Sequence, residues 1–341
     1  MTGVSITTND YKKNGSVFKQ TLWKVLGSRQ LVLAILIVAM TIGLTSISPS
    51  FISYRNLMAQ ASSQAMKGFI LIGVLLLLVT GDFDLSVGAG MALVGVCMAW
   101  VMAHTHNLFL GIMTGLGVGL TIGFINGFLV TRLKMASFIA TLGTMYMSRS
   151  LCNVITQGKA IPLKSPGISA FFNSYLAYLP LTFIMLVLFA VVMAILLGKH
   201  KYFRRLYYTG ANERGAFMLG INTNRVRWAM FIFSGLMMSI SGVVYTSMLT
   251  SAVPLGFSGL EMTMIAVAVI GGASLKGGQG SVLGCILGML LITLISSAMT
   301  IIGISPNWAG AILGATLLIA SILDAILEKG VHLPAFHRRQ P

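Results

Sequence analysis

The chain has 341 residues, of which 56% are hydrophobic and only 9% are charged. Because a soluble domain carries about a quarter charged residues, this composition excludes a soluble globular protein and predicts an all-α, polytopic membrane protein. The net charge of +16 would suggest nucleic-acid binding in a soluble protein. Here the basic residues cluster at the termini and in one central loop, as the positive-inside rule describes, so no nucleic-acid partner is expected.

The apolar segments predict about ten membrane spans. Residues 1–30 are polar and basic and are expected to form a cytoplasmic N-terminal segment. A single transmembrane domain is predicted at 31–327, followed by a basic cytoplasmic tail at 328–341. An even number of spans places every basic segment, including both termini, on the cytoplasmic side. The predicted spans are 31–48, 57–80, 86–103, 109–130, 136–156, 179–198, 228–250, 261–270, 281–302 and 306–324.

Two glycine-rich breaks interrupt the apolar runs, the first at 81–90 and the second at 271–280. At an offset of 190 residues (275 − 85), Leu85 aligns with Leu275 and three glycines coincide. This predicts two pseudo-symmetric helix–break–helix units. Both breaks follow spans that run in the same direction, so the repeat is parallel rather than inverted. The alternative is two unrelated glycine loops in a chain with 38 glycines.

The fourth predicted span carries a regular row of glycines. Gly111, Gly115, Gly119, Gly123 and Gly127 recur every four residues. Four-residue spacing places them along one face of a helix, where a second backbone can approach closely. The pattern predicts a helix-packing seam.

Ionisable residues within the apolar stretches are few: Asp82, Asp84, Glu261, Lys67 and Lys276. A charge inside a membrane is costly, and a role in solute passage or gating is the first hypothesis for it. For Asp82 and Asp84 the alternative is helix capping, because both stand at a helix junction where a carboxylate meets the positive end of a helix dipole.

Catalytic patterns are not evident in the sequence. Neither Gly-Lys pair is followed by the Ser or Thr that a phosphate-binding loop requires, and the five histidines and three cysteines lack metal-ligand spacing. The chain is therefore not expected to be an enzyme or to bind a metal or cofactor.

The central loop, 199–227, holds the densest charge and is the predicted main cytoplasmic loop. Within it, residues 210–222 are predicted to form one short amphipathic helix bounded by glycines. Its apolar side chains would fit a groove on a partner protein; the alternative is a helix lying on the membrane surface. The residues assigned to this contact are Gly210, Asn212, Glu213, Ala216, Phe217, Gly220 and Ile221, with Leu219 as a further anchor.

Several separated motifs, taken in order, resemble those of one known family. They are Gly81–Gly88, Asn126–Val130, Phe138–Met145, Gly210–Asn222 and the second glycine break. With them the chain resembles, over most of 31–327, the permease subunits of bacterial ABC importers of the ribose/xylose/arabinose/galactose class. One departure is Glu213-Arg214-Gly215, where that family usually has Glu-Ala-Ala.

The resemblance implies a subunit of the bacterial inner membrane, with both termini cytoplasmic, that imports a monosaccharide, a polyol or the furanose-like signal autoinducer-2. It further implies a dimer of permeases, cytoplasmic ATP-binding subunits that hydrolyse the ATP, a periplasmic solute-binding protein, and a coupling helix at 210–222. The alternative function is a secondary carrier driven by an ion gradient, for which the same acids could serve. The candidate solute pathway comprises Asp82, Asp84, Ser86, Asn126, Thr141, Thr144 and Glu261.

Overall fold

The computed structural model describes residues 29–305 and, beyond them, residues 308, 310, 311, 314, 315 and 318. Nearly all of the predicted N-terminal segment, most of the tenth predicted span and the whole predicted tail at 328–341 lie outside the described residues. Those that are described are mostly helical, which confirms the all-α prediction.

The helices and strands of the described residues can be given in chain order. The α-helices are α1 (Arg29–Ile47), α2 (Tyr54–Thr80), α3 (Val87–Thr105), α4 (Leu108–Thr131), α5 (Ser137–Thr156), α6 (Pro166–Phe172), α7 (Leu181–Lys199), α8 (Lys201–Ala211), α9 (Glu213–Met218), α10 (Thr223–Leu249), α11 (Leu260–Ile270) and α12 (Val282–Ile302). Two-residue strands form two antiparallel pairs, β1 (Ile161–Pro162) with β4 (Ser251–Ala252) and β2 (Tyr175–Leu176) with β3 (Leu179–Pro180).

Seven of the described helices are long and apolar enough to cross a membrane: α1, α2, α3, α4, α7, α10 and α12. They correspond to seven of the ten predicted spans. The fifth predicted span, α5, has 20 residues but is more polar. The eighth, α11, has 11 residues, so it is about 16 Å long and covers about half of a hydrocarbon core of about 30 Å.

Helix α10 lies at the centre of the structure, with α2, α3 and α4 packed around it. Residues 68–80 of α2 are buried without interruption, because neighbouring helices cover every face of this stretch. Helix α1, by contrast, packs mainly on α12 and leaves much of its surface exposed.

The predicted glycine seam is confirmed. The five glycines of this row are all buried, and the face they form packs on α10 and α3. A Cβ added at Gly119 would lie 2.6 Å from the Gly235 carbonyl oxygen, and one added at Gly123 would lie 3.0 Å from the Gly235 Cα. Since a Cβ cannot be accommodated at such distances, only glycine allows α4 and α10 to approach this closely.

Candidate functional site: the glycine breaks, the cytoplasmic helices and the buried polar network

The two glycine breaks lie directly against each other. Helix α2 ends at Thr80, and Gly81 after it adopts the left-handed conformation (φ 83°). The backbone N–H of Gly278 donates to the Val79 carbonyl at 2.8 Å, and a Cβ at Gly277 would lie 3.0 Å from the Gly81 Cα. The sequence predicted two related breaks but did not predict that they touch.

The helices before the two breaks end in the same way. Gly81 and Gly272 are both left-handed. The next N–H in each case, that of Asp82 or Ala273, donates back five residues, to Leu77 or Ala268, at 3.0 and 2.9 Å. This is the Schellman arrangement that ends many helices.

The offset between these helix ends is 191 (272 − 81), whereas the following helices start at the N-caps Ser86 and Ser281, an offset of 195 (281 − 86). The predicted alignment of Leu85 with Leu275 is therefore wrong. The second break is longer, so one gapless offset cannot align both of its ends.

The predicted single helix at 210–222 is instead two elements. Gly210 lies in the last turn of α8, and the short α9 starts after Asn212, whose Oδ1 accepts from the Gly215 N–H at 2.9 Å. Gly220, with φ 77°, follows the end of α9, as predicted. Gly210 does not bound the short helix, because it is a packing position: a Cβ there would lie 2.6 Å from the Gly278 nitrogen and would overlap the Val79 carbonyl.

The short helix presents an apolar tip, which we define as Phe217, Met218 and Leu219. Their exposed fractions are 72%, 85% and 76%. Ala216 is 2% exposed and Ile221 is half-buried against the core, so the expectation that Ala216 reaches a partner is wrong. A helix of six residues is too short for its periodicity to show which side faces inward, and Met218 was missed for the same reason.

Asp82 links the first break to the cytoplasmic helices. It is fully buried, and its two oxygens accept from Nη2 and Nε of Arg227 at 2.6 and 2.7 Å, the bidentate geometry of a strong ion pair. Nη1 of Arg227 lies 3.6 Å from Glu213 Oε1, which also accepts from Thr223 Oγ1 at 3.1 Å. Asp82 therefore caps no helix; it begins a polar chain, Asp82–Arg227–Glu213, that reaches the start of α9.

Asp84 belongs to a second, fully buried polar network. Its Oδ1 accepts from the N–H and Oγ of Ser86 at 2.9 and 2.5 Å, and its Oδ2 accepts from Ser234 Oγ at 3.1 Å. Nδ2 of Asn126 donates to Ser86 Oγ at 2.9 Å, and Thr144 Oγ1 donates to Asn126 Oδ1 at 2.8 Å. These contacts connect α3, α4, α5 and α10. They hold the turn before α3, whose N-cap residue is Ser86. Ser234, one of many serines in the chain, was not predicted.

Thr141 supports the same turn from α5. Its Oγ1 accepts from the Leu85 N–H at 3.1 Å and donates to the Ser137 carbonyl at 2.8 Å. The Phe83 N–H donates to Ser137 Oγ at 3.2 Å. Two hydroxyls of α5 therefore satisfy backbone groups of the break that no helix satisfies.

Glu261 lies in the first turn of α11, against the start of α3. Its Oε1 accepts from the Gly259 N–H at 3.2 Å. Its Oε2 is buried and has no hydrogen-bond partner among the described residues, and a Cβ at Gly88 would lie 2.5 Å from it. The predicted topology put residue 88 near the cytoplasm and residue 261 near the outside, yet the structure brings them together.

The position of the contact between Gly88 and Glu261 along the membrane normal can be judged from helix α10. Gly90 lies against Met238, and Met238 is close to the middle of α10 (Thr223–Leu249). About 17 Å of helix separates Met238 from the last residue of α10. Helices α3 and α11 therefore both begin inside the membrane rather than at its surface, as the discontinuous helices of transporters do.

No group of three or more His, Cys, Asp or Glu side chains within the described part of the chain is arranged to hold a metal ion. The polar groups at the breaks are instead used to hold backbone and neighbouring side chains in place.

Comparison with known proteins identifies the family. Residues 53–321 match the family described as "Branched-chain amino acid transport system / permease component". The chain is 35% identical to the ribose import permease protein RbsC of Bacillus subtilis (strain 168), over 82% of this chain and 87% of that protein. It is 32% identical to the L-arabinose transport system permease protein AraH of Escherichia coli (strain K12), over 96% and 98% of the two chains.

A third relative is the autoinducer 2 import system permease protein LsrC of Photorhabdus luminescens, which is 32% identical over 93% of this chain and 96% of that protein. No solved structure matches the chain. These relatives support the importer interpretation rather than the ion-gradient carrier. The chain, a multi-pass membrane protein with two adjoining glycine breaks and a helical cytoplasmic loop, belongs to this family of transport-system permeases.

Proposed function

We propose that this chain is the membrane-spanning subunit of an ATP-driven importer that moves a monosaccharide or a similar small polyhydroxylated solute into the cytoplasm. The observation that carries the proposal is the exposed apolar tip of α9, which directly follows the end of α8, where Gly210 packs against both glycine breaks. The solute class follows from the relatives, whose names specify ribose, L-arabinose and autoinducer 2.

The apolar tip calls for a protein partner. Three consecutive large apolar side chains are exposed in the most basic loop of the chain. A patch of this kind, rimmed by polar residues, marks a docking site, and an apolar helix face set into a groove is a common mode of recognition. Since the sequence lacks a phosphate-binding loop, we assign the partner as a cytoplasmic ATP-binding subunit that hydrolyses ATP.

Movement of the tip would reach the breaks along two routes. One is steric: Gly210, at the end of α8, lies on the backbone of Val79 and Gly278. The other is electrostatic, through the Asp82–Arg227–Glu213 chain. Both routes end at the contact between the end of α2 and the second glycine break. A push on α9 would therefore shift the segments that lead into α3 and α12.

The assembly that we propose contains a second permease subunit and a periplasmic solute-binding protein. We place the complex in the bacterial inner membrane with both termini in the cytoplasm, because the basic residues of the central loop and of the two ends then lie on one side. In this arrangement residues 31–327 form the transmembrane domain and 199–227 the cytoplasmic coupling loop.

The proposal is tested by reconstituting the chain in liposomes with its ATP-binding subunit and solute-binding protein. We expect uptake of a radiolabelled pentose, D-ribose or L-arabinose. This uptake should require ATP on the side of the membrane where the ATP-binding subunit lies and the solute-loaded binding protein on the opposite side. Vesicles containing the permease without the ATP-binding subunit serve as the control. Uptake by those control vesicles, driven by an imposed proton or sodium gradient, would show that the protein is a secondary carrier.

A further inference from the structure

A cavity of about 670 Å³ lies between α2, α11 and α12 and is also lined by Gly310 and Gly314. Its size falls in the range of small-molecule sites, roughly 300–1,000 Å³. The polar side chains in its lining come from all three helices and from the turn before α11: Ser63, Lys67, Ser258, Thr263, Thr293 and Ser296. The remainder of the lining is largely apolar, with several methionines.

Lys67 is the cation of this cavity. It is the central residue of the 27-residue α2, so about 20 Å of helix separates it from either end. A lysine side chain cannot extend that far to reach a membrane surface. Within the described part of the chain Lys67 lines this cavity and has no ion-pair partner. A charge at this depth is tolerated where it faces protein or water rather than lipid.

The hydroxyl groups around the cavity are arranged as acceptors. Thr263 Oγ1 donates to the Gly259 carbonyl at 3.0 Å, and Thr293 Oγ1 donates to the Met289 carbonyl at 2.9 Å. Ser296 Oγ donates in the same way, to Ile292, at 3.0 Å. Because each of these hydroxyl hydrogens is used within its own helix, the oxygens retain lone pairs that can accept from a ligand.

Three of the residues assigned to the pathway from sequence, Asp82, Asp84 and Asn126, do not have this freedom. Asp84 and Asn126 are buried and bonded to other protein groups, and both oxygens of Asp82 accept from Arg227. They form the framework that holds the breaks. The cavity combines space, a donor and several acceptors, as recognition of a small polar solute requires.

We infer that this cavity is a solute-binding station on the import pathway, in which Lys67 donates hydrogen bonds to the hydroxyl oxygens of a small polyhydroxylated solute. The hydroxyl oxygens of Thr263, Thr293 and Ser296 accept from the hydroxyl hydrogens of the solute. This inference rests on the proposed function and adds a location and a donor to it.

The first test is chemical and needs no solute. Lys67→Cys is treated in membrane vesicles with a cationic aminoethyl methanethiosulfonate, and the rate of labelling is measured. Thr263→Cys, in the same cavity, should label as well. Leu188→Cys, on the exposed face of α7, is the matched control for a lipid-facing thiol. If Lys67→Cys is as unreactive as Leu188→Cys, position 67 is not open to water and the inference is wrong.

The second test is transport of D-ribose and L-arabinose by the reconstituted complex. A charge-assisted hydrogen bond typically contributes about ten- to a hundredfold in binding, so Lys67→Met should lower uptake by about that factor. Lys67→Arg should retain part of it. Basal ATP hydrolysis and association with the ATP-binding subunit should not change, because Lys67 lies far along α2 from the Asp82–Arg227 contact. The aminoethyl reagent, which restores a positive charge, should rescue Lys67→Cys, and an anionic sulfonatoethyl reagent should not.

The outcomes separate the two proposals. If the wild-type complex shows no ATP-dependent uptake, the proposed function fails. If the wild-type complex transports a pentose and Lys67→Met transports it at the same rate, the function stands and the binding station is refuted.

Discussion

Removing Arg227 tests whether the Asp82–Arg227–Glu213 chain connects the cytoplasmic helices to the glycine breaks. Asp82 is fully buried, and in the described structure its two oxygens are held by one guanidinium at 2.6 and 2.7 Å. Arg227→Met leaves that carboxylate buried without a cation. Breaking a buried ion pair in this way costs about 3–5 kcal/mol, a large fraction of the stability of most proteins.

The second contact of this series, between Arg227 and Glu213, is weaker than the contact between Asp82 and Arg227. The Arg227–Glu213 pair is 3.6 Å apart, and the Glu213 side chain is 52% exposed. Solvent screening limits such a pair to about 0–1 kcal/mol. Glu213→Gln should therefore leave the yield of folded protein unchanged while weakening the link between α9 and the first break.

The assay compares folded yield and melting temperature in detergent for Arg227→Met, Glu213→Gln and the double variant Asp82→Asn/Arg227→Met. We expect a large loss for the first, almost none for the second and partial recovery for the third, because the double variant removes the unpaired charge. Uptake per ATP hydrolysed should fall in Glu213→Gln. The reasoning is refuted if Arg227→Met is as stable as the wild type, or if the double variant is less stable than Arg227→Met alone.

Three further predictions concern the seam, the buried network and the apolar tip. Gly119→Leu should lower folded yield by an overpacking cost of about 1–3 kcal/mol. Gly117→Leu, on the same helix with open space around it, should not, and equal yields would contradict the seam. Asp84→Asn should retain folding and near-normal uptake, because an amide can keep the contacts to its neighbours; loss of uptake in a folded Asn variant would show that the charge itself acts in transport. Phe217→Ala combined with Leu219→Ala should leave the melting temperature unchanged but weaken binding of the ATP-binding subunit by about 2 kcal/mol, roughly thirtyfold, as measured by co-purification and titration; unchanged binding would place the contact elsewhere.

Features repeated along one helix could be predicted from sequence. The glycines of α4 recur at a spacing that matches the turn of a helix, so their common face was predictable without knowing what packs on it. The half-length of α11 could also be anticipated, because its apolar run is short. These features depend on local periodicity and composition, which a single sequence contains in full.

Contacts between distant segments could not be predicted in the same way. In the sequence, Arg227 is one of several basic residues of the central loop, and its charge was explained by membrane orientation. The structure places it in the first turns of α10, where it donates to Asp82, 145 positions away. The alignment of the two breaks could not be found with a single gapless offset, because the second break is longer than the first. Lys67 could be identified as an unusual charge, but the cavity around it depends on how three separate helices pack.

The glycines at the meeting point explain why the two breaks should move together. Where Gly210, Gly277 and Gly278 lie against Val79 and Gly81, backbone contacts backbone, and one hydrogen bond of 2.8 Å joins Gly278 to Val79. A flexible side chain placed between two segments can change rotamer and absorb a small displacement. Backbone in direct contact has no such freedom, because close-packed interiors transmit strain. A displacement of α8 must therefore shift the end of α2 and the second break at once, which links the cytoplasmic helices to both segments that enter the membrane.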